Sequence, residues 1–467
     1  AVHEKLGIKT VKQLESACKK GKVAELDGFG KKSEEKILEG IEFKRKHASH
    51  HHRHKMLLVA IPILDDLRSH PDVIRCDIAG SLRRGKEVSG DIDFLVSAKE
   101  SEDIIHAFTT REGILSILAA GKTKASVLLE GGIQADLRVV DDSEFASALA
   151  YFTGSKEHNI VMRSRAISRG LRLNEYGLFK SKEETRDPKL RLKSKTEEDI
   201  FAALGMVYVP PELREDRGEF EAGENNDIPK LIEWTHLKGS LHNHSNWSDG
   251  QETLEEIAEH MSGLGLAYWA ITDHSKASFQ ANGLDSGRVN KQLKEIGVLN
   301  QKLEDEDNDF RLLSGIEVDV LKKGLDFDDD LLNQLDVVVA SMHVAGSEEK
   351  DNTNRLIKAV ENPNVHMIGH LSGRLLLERA PQKLNQIAVI DACAETGTWI
   401  ELNANPYRLD LDWRHWQYAK SKGVKCVINC DAHRNEHAGF LRIGTDIARK
   451  GWLTKADIIN TLPLPKL

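Results

Sequence analysis

In the second half of the chain one pattern recurs: a short apolar run, a metal-ligand type of side chain where the run stops, and then a helical stretch. The runs cover residues 267–271, 335–340, 366–368, 399–402 and 424–428. Short apolar strands alternating with helices predict a β/α barrel, and such barrels carry their sites at the C-terminal ends of the strands. The candidate ligands fall there. His242 and His244 share one side of a strand, and Asp249 follows in Trp247-Ser248-Asp249-Gly250. Asp273-His274, Glu317 in Gly315-Ile316-Glu317-Val318-Asp319, His343, His370, and Asp431 with His433 stand at the ends of later runs. One histidine alone is more often a satisfied polar residue than a ligand. Recurrence at one strand end after another points to bound cations. Mixed imidazole and carboxylate donors suit manganese, zinc or iron better than calcium or magnesium alone.

At 467 residues the chain exceeds one ordinary core, which predicts two or more domains. The net charge of −9 argues against a nucleic-acid partner until it is divided along the chain. Residues 1–217 carry 38 basic and 35 acidic side chains and the remainder 27 and 39, giving +3 and −12. A polyanion is therefore expected on the first half and divalent cations on the second. No apolar run approaches a membrane span and no secretory signal opens the chain, so a soluble cytoplasmic protein is expected. Cys18, Cys76, Cys393, Cys426 and Cys430 form no CxxC pair and are expected as reduced, buried thiols. The chain begins at Ala1, already in a helical pattern, as though an N-terminal piece were missing.

Near the start, helical patterns over residues 11–20 and 32–46 flank Gly28-Phe29-Gly30. Two glycines there allow either a sharp turn whose free amides meet a phosphate, with Lys31 and Lys32 adding charge, or a plain capping turn. The tract His47-Ala48-Ser49-His50-His51-His52-Arg53-His54 reads as a solvated linker, since no carboxylate or cysteine accompanies it. A second constellation is more specific. Ala79-Gly80-Ser81-Leu82-Arg83-Arg84-Gly85 precedes Gly90-Asp91-Ile92-Asp93, and Asp136 lies in the apolar run 133–140. On a strand Asp91 and Asp93 face the same way, so three carboxylates can share a pair of divalent cations. Phosphoryl transfer uses such a pair to activate a hydroxyl and to steady the leaving pyrophosphate.

The stretch 79–93, with Tyr151-Phe152-Thr153-Gly154-Ser155, His158-Asn159 and Arg163, resembles the DNA polymerase X family, over essentially residues 5–217. That resemblance implies a helix-hairpin-helix DNA-binding region (1–55, holding Gly28, Gly30, Lys31 and Lys32), a nucleotidyl transferase palm (56–141) and a thumb (142–217). It implies Asp91, Asp93 and Asp136 as catalytic, with Mg2+ or Mn2+. Gly80, Ser81, Arg84 and Gly90 would take the triphosphate, Tyr151, Phe152 and Gly154 the nucleotide, Asn159 the base edge, and Arg163 the template. Family members carry a further small domain ahead of the hairpin that this chain lacks, so no lyase activity is expected.

After a polar stretch (213–227) expected as a linker, with the linker between domains set at 218–235, residues 236–467 resemble the PHP domain. The resemblance implies a distorted β/α barrel holding up to three ions, Mn2+ or Zn2+. The implied sets are His242, His244, Glu317 and Asp431; Glu317, His343 and His370; and Asp249, His274 and His433. Such a cluster attacks a phosphodiester with an activated water. His370 departs from the family by preceding Leu371 instead of proline. Arg374 and Arg408 follow strands and are candidates for substrate phosphates. The order of the two modules, and the joining segment 208–216, resemble bacterial polymerase X. The implied function is gap-filling DNA synthesis in repair with a 3′ to 5′ exonuclease, acting on DNA and dNTPs as a monomer. The competing readings are a phosphatase of the histidinol-phosphatase type and a DNA-binding scaffold with idle sites.

Overall fold

The computed structural model describes residues 2–343 and 351–467. Helices α1 (Val11–Lys19) and α2 (Lys31–Lys46) form the expected hairpin, joined by a turn that Phe29 N closes on Leu26 O at 2.9 Å. Helix α3 (Arg53–Ser69) leads into a sheet of β1 (Val73–Ile78), β2 (Asp91–Ala98), β3 (Ile114–Ala120), β4 (Lys124–Leu129) and β5 (Gln134–Val140). Its order is β1-β2-β5-β4-β3, with only β2 and β5 parallel. Alternation decides the faces. Ile92, Phe94 and Val96 of β2 and Ala135, Leu137 and Val139 of β5 enter one core with Met56, Leu64 and Phe108, so Asp91, Asp93 and Asp136 are left on the other face. Helices α4 (Phe145–Thr153) and α5 (Lys156–Ser168) build the subdomain that follows.

The segment expected as a linker is folded instead. Arg214 and Glu219 are fully buried, the first paired with Glu197 at 2.6 Å and the second with His158 at 2.9 Å, and Glu219–Asn225 is helical. Its charges looked like solvation in the sequence because their partners lie far away along the chain.

The second half is the expected barrel. Strands β6 (Gly239–Ser240), β7 (Tyr268–Ile271), β8 (Arg311–Leu321), β9 (Val337–Ser341), β10 (Met367–Ile368), β11 (Trp399–Asn403) and β12 (Cys426–Asn429) pair in chain order, each parallel to the next. Leu241, Ala270, Val339, Met367 and Val427 pack in one cluster and Trp269, Ile271, Val338, Ile368 and Ile428 in another, so both faces of the sheet are apolar. The ring is not closed by a strand ladder between β6 and β12. Asn460, fully buried, spans the seam: its amide donates to Gly239 O and Ile428 O, each at 2.7 Å, and its side-chain oxygen accepts from Ile428 N at 3.1 Å.

The halves meet over a polar junction. Lys450, at the end of α6 (Phe440–Lys450), has no exposed surface. It donates to Glu215 Oε1 at 2.7 Å, Arg84 O at 2.9 Å and Glu212 O at 3.2 Å. The end of the histidine tract enters this junction, while Ala48, Ser49 and His50 are exposed as expected of a solvated linker. His51–His52 pairs antiparallel with Val88–Ser89, and the buried His52 approaches Leu376 O at 3.0 Å and the Tyr407 ring at 4.8 Å. All five cysteines are buried and free, and among the described residues no helix is long and apolar enough to cross a membrane.

Because Asn460 alone supplies three hydrogen bonds to the seam, Asn460→Leu strands buried carbonyls at similar volume. It is expected to lower the stability of the barrel by about 2–4 kcal/mol, read as a fall in the urea midpoint of the metal-free protein. An unchanged midpoint would mean that the seam does not depend on Asn460.

Candidate metal centres in the palm and the barrel

The palm site follows from strand register. β2 and β5 are parallel with Asp93 opposite Asp136 and Asp91 opposite Gln134, so the three carboxylates share a face. Gln134 Nε2 donates to Asp136 Oδ1 at 3.1 Å, and Lys124 Nζ stands 4.0 Å from Asp136 Oδ2. Burial, then Asp91 and Asp136, push the Asp93 carboxyl up to about 7; burial and Asp136 also raise Asp91. Acids held this close to neutrality by one another are groups that a divalent cation would deprotonate. Gly80 explains itself here. Its φ is +64°, and a Cβ built on it would lie 2.0 Å from Asp93 Oδ2, so only glycine lets the carboxylate settle on the turn.

Ser81 and Arg84 lie on that turn, and Tyr151, Asn159 and Arg163 line a separate cleft of the thumb. Ser81 Oγ contacts Ser89 Oγ, and Ser89 in turn donates to Asp91 O at 3.0 Å. Arg84 Nε pairs with Glu215 at 3.0 Å while its other end donates to Thr153 O, one residue before Gly154. Tyr151 and Phe152 lie edge to face at 5.2 Å, and Asn159 Nδ2 donates to Tyr151 O at 2.7 Å. Arg163 Nε donates to Asn159 O at 3.3 Å. In the hairpin the two glycines differ. Gly28 has φ +86° and needs to be glycine, whereas Gly30 is extended at φ −137° and acts as the N-cap of α2, with Lys31 and Lys32 in the first turn. The left-handed position is therefore Gly28, not Gly30.

In the barrel, His242, His274, His343, His370 and Asp431 each stand two or three residues beyond a strand, while Glu317 lies inside the long strand β8 and not at its end. The four histidines converge on Glu317. Its oxygens lie 3.3 Å from His242 Nε2, 2.8 Å from His274 Nδ1, 3.2 Å from His343 Nε2 and 3.0 Å from His370 Nε2. His244 Nε2 is 3.1 Å from Asp431 Oδ1, and Asp249 faces His274 at 3.6 Å and His433 at 3.4 Å. Two of these ligands, His370 at φ +22° and Asp431 at φ +51°, hold a backbone unusual for their residue types, as residues at functional sites often do.

The donor set fits divalent cations. His242 Nε2 and His244 Nδ1 are buried and make no well-formed hydrogen bond among the described residues, and His274 Nδ1 and Glu317 Oε2, equally buried, face each other at 2.8 Å. Three groups of ligand atoms lie within 4.8 Å of one another: His244, Asp249, His274 and His433; His242, His244 and Asp431; His274, Glu317 and His343. Compared with the sets read from sequence, His244 also joins the Asp249 group and His274 the Glu317 group; His370 approaches through its contact with Glu317. The palm carboxylates do not close to within that distance. Burial opposes charging His274, but Glu317 and Asp249 raise it to about 10; Glu317 and Asp319 likewise raise His343 to about 9, and Asp249 and Asp431 raise His433 to about 8. Burial, then His433 and His274, depress His244 to about 3. In the absence of a cation, protons neutralise the cluster.

Several residues that orient these ligands escaped the sequence reading. Glu401, fully buried in β11, lies 2.7 Å from His242 Nδ1 and accepts from His370 N at 2.6 Å. Asp319 holds His343 Nδ1 at 3.0 Å, and Asn403 Nδ2 donates to Asp431 Oδ2 at 3.1 Å. The available signal for Glu401 was an acid in the middle of an apolar strand. Arg374 is a correction. It is 7% exposed, its guanidinium is held by Asp412, Leu409 O and Arg408 O, and it lies away from the barrel cleft, against a cavity shared with Ser81 and Gly90. Arg408 does line the metal cleft, 3.6 Å from Asp431.

Family models agree with this division. A DNA polymerase beta palm model matches residues 53–151, a DNA polymerase beta thumb model 148–215, and a PHP domain model 240–405. The chain is 38% identical to the DNA polymerase/3′-5′ exonuclease PolX of Bacillus subtilis, over 99% of this chain and 80% of that protein. Other relatives are alike over part of the chain. A probable phosphatase of Thermoanaerobacter is 27% identical over 49% of this chain and 88% of its own length; DNA polymerase lambda of Rattus norvegicus is 31% identical over 30% of this chain and 28% of its own. With both cores in one chain and a likeness running nearly end to end, the protein belongs to the bacterial DNA polymerase X family, which joins a polymerase-beta-type core to a PHP barrel.

Proposed function

We propose that this chain is a DNA-directed DNA polymerase that fills gaps during DNA repair and whose barrel removes nucleotides from 3′ ends. The observation that carries the reading is the presence of two separate acidic centres, one on each module, in a chain similar over 99% of its length to a bacterial polymerase/3′-5′ exonuclease. Both centres use divalent metal: Mg2+ or Mn2+ on Asp91, Asp93 and Asp136, and Mn2+ or Zn2+ on the barrel ligands. When bound, such ions supply charge to the phosphate oxygens and lower the pKa of the attacking oxygen.

The chain's own groups do the rest. Asp93, raised by burial, gives up its proton when the site is loaded. Ser81, Arg84 and the backbone at Gly90 hold the triphosphate, with Arg84 aimed by Glu215 and Thr153 O. Tyr151, Phe152 and Gly154 bound the nucleotide, Asn159 reads the base edge and Arg163 meets the template. In the barrel, Glu401 and Asp319 fix the rings of His242 and His343 so that their other nitrogens face Glu317. Arg408 stands where a substrate phosphate would enter. The hairpin holds the DNA backbone through amides and Lys31 and Lys32, without reading sequence.

The two centres should fail independently. Asp93→Asn is expected to lower extension at least about a hundredfold and to leave trimming of a labelled 3′ end intact. His343→Ala is expected to do the reverse, with metal affinity reduced about tenfold or more. A labelled gapped duplex with Mn2+, with and without dNTPs, reads both; loss of both activities in either variant contradicts separate centres.

Protonation gives an independent check. At pH 7 the metal-free His274, His343 and His433 hold protons, because their pKa values of about 10, 9 and 8 lie above that pH. Imidazoles bind metal only when neutral, so loading must release protons, and apparent affinity must rise between pH 6 and pH 9. Titration calorimetry in two buffers of different ionisation heat measures the release. Heats independent of buffer would refute it.

For the hairpin, Gly28→Val forces a β-branched residue to φ +86°. Primer-template affinity is expected to fall at low salt on two unrelated sequences alike, with kcat at saturating DNA retained. Equal affinity of variant and parent would leave the turn a capping element only.

A further inference from the structure

The metal cleft has an apolar lip. Phe279 is 77% exposed, the highest value of any large apolar side chain among the described residues, and it lines the same cavity of about 320 Å³ as Glu317, His343, His433 and Arg408. A single exposed apolar side chain is ordinary on a protein surface. This one differs in its mounting. The turn Phe279–Ala281 is closed by bonds from Ala281 N and Gly283 N to Ser278 O, at 3.0 and 3.2 Å. Ser278 Oγ donates to Asp319 Oδ2 at 2.6 Å, the same carboxylate that orients His343, and Ala277 N donates to Asp326 at 2.7 Å. On the far side, Asn282, at φ +54°, reaches Trp247 O at 3.1 Å, and Arg288 fastens Asn282 O at 2.8 Å. Leu284 N returns to His274 O at 2.7 Å, so the excursion begins and ends at a ligand. The ring is thus presented by a pinned turn, and no ring or cation packs on it among the described residues.

We propose that Phe279 is a stacking platform for the base of the 3′-terminal nucleotide, holding that base outside the DNA stack while its phosphodiester lies on the metal cluster. The inference rests on the reading of the barrel as a 3′ nuclease. A bare phenyl face attracts any nucleobase by stacking and offers no hydrogen bond to tell one base from another. It therefore suits an enzyme that must remove whichever nucleotide ends the strand. A 3′ end without a base loses the platform.

The test compares single strands ending in a normal nucleotide with strands ending in a tetrahydrofuran abasic residue, using the full chain and Mn2+. The parent is expected to remove the base-bearing end roughly 5- to 100-fold more efficiently, in kcat/KM. Phe279→Ala is expected to bring that ratio close to one by slowing only the base-bearing end, and Phe279→Trp to keep it. A readout without catalysis uses 2-aminopurine at the 3′ terminus in EDTA, whose fluorescence the parent should quench and Phe279→Ala should not. Equal ratios in the parent and Phe279→Ala, or equal quenching, would overturn the platform. No trimming of either end by the parent would instead overturn the nuclease reading itself.

Discussion

Glu317 is the constraint around which the second half of the molecule is arranged. A carboxylate without solvent contact costs several kcal/mol unless positive charge faces it. Here four imidazole nitrogens lie within 3.3 Å, and a fifth, from His244, at 3.7 Å. Imidazoles supply that charge only while protonated, and their own crowding limits how many can be. A divalent cation resolves both problems, since it accepts neutral nitrogen and charged oxygen together. The barrel's other features serve this arrangement: short parallel strands stop at one end so that successive loops deliver ligands, and Asn460 ties the first strand to the last so that His242 and Asp431 stay opposed.

The two modules are joined by more than a tether. Lys450 from the barrel enters a buried polar junction where Glu215 also holds Arg84, the residue assigned to the triphosphate. Placement of that arginine therefore depends on a lysine more than 200 residues beyond Glu215. Charge is partitioned accordingly, with the excess of acid in the half that carries the histidine and carboxylate cluster and the slight excess of base in the half proposed to hold DNA.

Much of this was legible in the sequence because the chemistry is periodic. Strand alternation placed Asp91 and Asp93 on one face, and most of the barrel candidates follow strand ends, Glu317 inside β8 being the exception, so both groups could be picked out without a partner residue being known. Where a role depended on contacts distant in sequence, the reading failed. Arg374 was read without Asp412 and the two carbonyls that hold it, and the charges of 213–227 looked like a linker until Glu197 and His158 paired with them. Glu401 sits in an apolar strand with no spacing to mark it, and its role appears only through His242 and His370. Between Gly28 and Gly30, composition could not decide which carried the left-handed backbone.

The central claim is that the barrel cluster is a cation site organised by Glu317 and independent of the palm. Glu317→Gln keeps the shape and removes the charge. Elemental analysis of the parent and this variant, each dialysed against the same Mn2+ or Zn2+ buffer, tests the claim most directly. The account expects the variant to hold fewer ions per chain and to lose 3′ trimming while extending a primer normally; equal ion content with undiminished trimming would contradict it.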